Sequence, residues 1–107
     1  MDAIADTPRP PYVAVIFTNV QTDDLDGYAE MADRMEALAK EQPGYLGFES
    51  ARDAVRGIAV SYWATDGDAR AWKQVVDHAE AQRLGREQWY AAYRVRVATV
   101  EREYGKD

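Results

Sequence analysis

A chain of 107 residues, 47% hydrophobic and 11% aromatic, has room for one folded domain with its own core and does not have the composition of a disordered segment. It contains no cysteine, which excludes disulfides, thiolate catalysis and cysteine-ligated zinc or iron–sulfur centres. A net charge of −6 speaks against a nucleic-acid surface, and no apolar run approaches the ~20 residues of a membrane span. With no basic and apolar blocks of a signal peptide at the start, the expected location is the cytoplasm.

Residues 1–11 contain Pro8, Pro10 and Pro11, which lack amide donors and favour an extended path, so they read as an N-terminal arm. A single domain is expected over 12–107. It begins with a strand over 12–20, YVAVIFTNV, whose β-branched and aromatic side chains fall on both alternating faces. Thr22, Asp23 and Asp24 follow as cap candidates. Leu25, Tyr28, Ala32, Met35 and Ala39 then recur at three and four residues, predicting an amphipathic helix of four or five turns that Pro43-Gly44 ends.

The second strand covers 45–52, with Leu46, Phe48 and Ser50 on one side, and a short link over 53–57 predicts a hairpin into the third. There Ile58, Val60 and Tyr62 alternate with Ala59, Ser61 and Trp63. Thr65, Asp66 and Asp68 mark the start of a second helix, whose apolar side carries Ala69, Trp72, Val75 and Val76. Gly85 interrupts the following segment, predicting a helical extension and a short separate turn. A final strand over 91–103 alternates Tyr93, Val95, Val97 and Thr99 with Arg94, Arg96, Ala98 and Val100.

This order, β-α-β-β-α-β, predicts an α+β ferredoxin-like sandwich. Two helices cover one face of such a sheet, while several strands are apolar on both faces, so a second copy is expected to cover the other. Trp63 and Trp72 lie nine residues apart across the third strand and second helix, which allows both indoles to approach one candidate pocket; core packing is the equal alternative. His78 is the one histidine, and an imidazole is the side chain type suited to proton transfer, so it is a candidate for that role, with a structural or exposed role as the alternative. Tyr62 can hydrogen-bond a phenolic ligand or lie in a dimer seam. Arg94 and Arg96 can stabilise an enolate or phenolate, or pair with carboxylates across a dimer. No glycine-rich phosphate loop follows a strand, and one histidine without cysteine gives no metal-ligand pattern.

The segments PYVAVIFTNV, PGYLGFES, VSYW, the W-K pair of the second helix, HAEAQ and VATVERE together resemble the antibiotic biosynthesis monooxygenase domain family over about residues 12–104. The resemblance implies a homodimer of ferredoxin-like protomers whose sheets form a dimeric α+β barrel, with a pocket in each protomer between sheet and helices. It also implies a cofactor-free monooxygenase acting on a small electron-rich aromatic such as a phenol, hydroquinone or anthrone-like compound. A non-enzymatic small-molecule-binding or stress-associated dimer is the alternative. Members of the haem-degrading branch carry an asparagine in the first strand, a tryptophan in the second helix and a histidine ten residues beyond. Here Trp72 matches the tryptophan, Gln82 stands ten residues on, and Phe17 aligns with the asparagine while Asn19 is nearby, so haem degradation is not the expected activity. The resulting candidates are His78 and Trp72 for catalysis and Phe17, Asn19, Tyr62, Trp63 and Arg96 for substrate binding, without cofactor or metal.

Overall fold

A computed structural model describes the backbone of residues 3–83 and 85–106, and the side chains of these residues outside 80–86. The elements run β1 (Tyr12–Gln21), α1 (Tyr28–Lys40), β2 (Tyr45–Arg52), β3 (Gly57–Trp63), α2 (Asp66–Arg83), α3 (Gly85–Trp89) and β4 (Tyr90–Val100). The strands form one antiparallel sheet in the order β2-β3-β1-β4, the ferredoxin-like arrangement. None of the described helices is long and apolar enough to cross a membrane.

Cross-strand partners share a face, so register assigns the two sides of the sheet. On the inner face Val13, Val15, Phe17 and Asn19 of β1 stand opposite Trp63, Ser61, Ala59 and Gly57 of β3. The same four stand opposite Thr99, Val97, Val95 and Tyr93 of β4. The core lies at the Trp63 end of this face, where Val13, Trp63, Ala39, Ala69 and Trp72 pack together. On the outer face Ala14 and Ile16 stand opposite Tyr62 and Val60, and opposite Ala98 and Arg96.

Local chemistry shifts the expected start of α1. Leu25 belongs to the turn before α1: its carbonyl accepts the amide of Tyr28, and Gly27, at a φ of 78°, is the N-cap. An αL residue at that position suits glycine and no side chain caps the helix, so α1 has 13 residues and starts later than the apolar spacing predicts. Thr22, expected as a cap, instead bonds the Gln88 carbonyl through its hydroxyl at 2.6 Å and the Trp89 carbonyl through its amide at 2.8 Å, tying the β1–α1 loop to α3. At α2 the Thr65 hydroxyl accepts the amide of Asp68 at 3.1 Å, the expected kind of cap.

The arm lies against the outer face. The Ala5 amide donates to the Glu49 carboxylate at 2.9 Å, and the Thr7 hydroxyl is 3.1 Å from both the Tyr12 hydroxyl and the Glu103 carboxylate. Ala5 comes so close to Gly47 that a Cβ there would meet it at 2.8 Å.

Candidate functional site

Between the inner face and the helices lies a cavity of about 830 Å³. Its floor is Val15, Phe17 and Asn19 of β1 with the small residues Ala59 and Ser61 of β3, and Met31, Met35, Trp72 and Val76 reach it from α1 and α2. The small residues Ala59 and Ser61 on the floor leave space open, whereas at the Trp63 end large rings fill it.

The two ends of the inner face differ in chemistry. At one end Trp63 is fully buried, and its ring stacks on that of Trp72 with centroids 5.5 Å apart and planes 26° from parallel. The indole N–H of Trp63 donates to the Ser61 hydroxyl at 2.8 Å, which satisfies the one polar group of a ring that meets no water. At the other end, six residues along β1 from Val13 and so about 20 Å away, Asn19 is buried to 4% exposure. Around it are Phe17, edge-on to Tyr90 at 5.2 Å and tilted against Tyr93 at 5.7 Å, and Tyr28, edge-on to Tyr90 at 6.1 Å.

Asn19 is held from the end of β2. The Arg52 guanidinium donates to its Oδ1, which fixes the orientation of the amide, since the acceptor oxygen must face the donor. Arg52 lies across Gly57: any Cβ at that position would overlap its guanidinium, so the absence of a side chain there makes room for the arginine.

The structure separates residues expected to converge. Phe17, Asn19 and Trp72 line the cavity. Trp63 does not; it packs behind Trp72 and Val13 as core. His78 is exposed and lies outside the lining, because six residues along a helix at about 100° each leave it about 120° around the helix from Trp72. Tyr62 faces the outer side, where its hydroxyl donates to Glu49 at 2.6 Å. Burial first, and then this bond, push its phenol far above the ordinary range. Arg96 is opposite Ile16 on the outer face and exposed. The side chain of Gln82 lies outside the described residues.

Arg52, Tyr28, Tyr90 and Tyr93 join the lining without having been singled out from the sequence. The signal for two of them was strand alternation: Arg52 falls two residues beyond Ser50 and four beyond Phe48, and Tyr93 falls on the face of Val95 and Val97.

A sequence model of the family described as "Antibiotic biosynthesis monooxygenase" matches residues 11–84. The chain is 48% identical over 104 residues to the uncharacterized protein YqjZ of Bacillus subtilis, covering 96% of this chain and 91% of that protein. Among solved structures it resembles SnoaB, a cofactor-independent oxygenase from Streptomyces nogalater, with a TM-score of 0.70 at 14% identity over 91% of this chain and all of that one. It resembles PA3566 from Pseudomonas aeruginosa with a TM-score of 0.66 at 14% identity, over 91% of this chain and 99% of that one. At these identities the two structures establish a shared fold.

Proposed function

The chain belongs to the antibiotic biosynthesis monooxygenase family, and on that premise we propose that it is a cofactor-independent monooxygenase of a small electron-rich aromatic, working as a homodimer. The observation that carries this reading is the cavity: a space of about 830 Å³, walled by Phe17, Trp72, Tyr90 and Tyr93, with a buried amide in its floor. A flat aromatic ring is complementary to such walls through stacked and edge-on contacts. Asn19 would donate its amide N–H2 to an oxygen substituent of that ring.

A substrate oxidised without a cofactor must supply the electrons itself. For an anthrone-like compound the ring methylene loses a proton to give an electron-rich enolate, which reacts with dioxygen at that carbon. Its CH2 becomes C=O, one oxygen atom enters the product, and the other leaves as water. The carbon gives up four electrons and dioxygen takes four, so no external reductant is needed. The protein's part is to stabilise the anion by donors already in place and to keep the reacting carbon dry.

Catalysis would be read as oxygen uptake by the purified protein with anthrones and hydroquinones, without added cofactor, faster than in protein-free buffer. Absence of uptake above that background across both classes overturns the oxygenase reading. A second reading, a binding protein without turnover, is favoured by the position of His78: the single imidazole lies away from the cavity. Saturable binding of the same compounds with no oxygen uptake would establish it.

A further inference from the structure

We propose that Arg52 forms an oxyanion subsite at the Asn19 end of the cavity, so that the preferred ligands are aromatic rings bearing an ionised oxygen substituent. The inference deepens the reading of the cavity as a ligand site but does not require turnover. Four observations meet there. Arg52 lines the cavity from the end of β2, and its guanidinium is bonded to a neutral amide, the buried Asn19. No carboxylate lies in ion-pair distance of Arg52 among the described residues, although the chain carries 19 acidic residues against 13 basic ones. Of the other cations of the same lining, Arg70 is paired with Asp66 at 2.7 Å and Lys73 with Asp77 at 2.6 Å, while Arg94 stands on β4 opposite Thr18, one residue along β1 from Asn19. Gly57 lies beneath the Arg52 guanidinium, where any side chain would displace it.

A guanidinium has five N–H donors in a rigid fork, and one of them is used on Asn19. The remaining donors, with the Asn19 N–H2 beside them, suit an oxygen that carries negative charge. Phe17 and Tyr93 lie next to this point, Phe17 two residues before Asn19 on β1 and Tyr93 directly opposite Asn19 on β4. A ring held among them puts its substituent at Arg52. Asn19 is thus a positioning residue for the guanidinium as well as a donor.

Carboxylates and phenolates share this chemistry, and the test separates them. Binding of 2-naphthoate and of its neutral analogue 2-naphthamide to the full chain is measured by calorimetry, with 4-nitrophenol titrated across its own ionisation as the phenolate arm. The wild type is expected to prefer naphthoate over naphthamide, or nitrophenolate over nitrophenol, by about tenfold or more, the scale of one charge-assisted hydrogen bond. Arg52→Gln should abolish that preference while retaining the weaker affinity for the neutral compound. Gly57→Ala, which leaves Arg52 in the chain but pushes it aside, should reduce the preference in the same direction, with thermal unfolding confirming that both variants are folded. Preference in one arm alone identifies the anion class. Equal affinity for charged and neutral ligands in both arms, no measurable binding of either anion, or an undiminished preference in folded Arg52→Gln overturns the proposal. Anion-selective binding without oxygen uptake leaves the subsite in place and removes only the oxygenase reading.

Discussion

Trp63 and Trp72 touch each other yet have different surroundings. Trp63 is fully buried between Val13, Tyr45 and Trp72, so Trp63→Ala leaves a large void and should cost about 3–5 kcal/mol of folding free energy, read from denaturant unfolding. Trp72 has one side on that core and another on the cavity. Trp72→Phe keeps an aromatic ring and should cost under about 1.5 kcal/mol of stability while weakening ligand binding more than it weakens the fold. Equal losses in both measurements would leave Trp72 a purely structural residue. Sequence alternation assigns Trp63, Ser61 and Ala59 to one face, but a period of two gives the face and not the depth. Which indole meets the void depends on where α2 crosses the sheet, a tertiary fact. The same limit hid Arg52: its face was legible, whereas its partnership with Asn19 joins residues 33 apart in the chain.

At the scale of elements, the four strands were legible because β-branched and aromatic alternation is strong in each, and boundaries moved where glycine set them. The arm shows what composition alone leaves out. Its prolines predict an extended path but not that it lies along the outer face, held by Glu49 and seated over Gly47. Gly47→Ala should therefore lift Ala5 from the sheet. Hydrogen exchange at the Ala5 amide, which is bonded to Glu49 in the native arm, should accelerate in this variant, and cleavage within residues 3–11 should become faster. The strands themselves should keep their protection, since no regular ladder passes through the arm. Unchanged exchange at Ala5 would mean that the contact with Gly47 does not hold the arm.

For the molecule as a whole, the unusual feature is β4, an edge strand of 11 residues with little covering it on either side. On its inner side Tyr93, Val95 and Val97 are 43%, 48% and 56% exposed, and on the outer face of the sheet Ile58 is 41% exposed. The inner residues border the cavity, whereas Ile58 and Val20 leave apolar surface open on the outer face, which the proposed homodimer would cover. Sedimentation at micromolar concentration should give the dimer mass, and Ile58→Asp should shift it toward monomer by placing a charge on the outer face. A wild-type chain that sediments only as a monomer would remove the homodimer. The position of β4 has a thermodynamic consequence. It is a partition one strand thick, with Tyr93, Val95 and Val97 toward the cavity and Arg96 and Ala98 on the outer face, where the proposed partner would lie. An occupant on one side and a neighbour on the other both bear on the same backbone, so each changes the affinity for the other by an equal factor. Ligand titrations should therefore shift with protein concentration, and the monomer–dimer equilibrium should move by the same free energy when ligand is added.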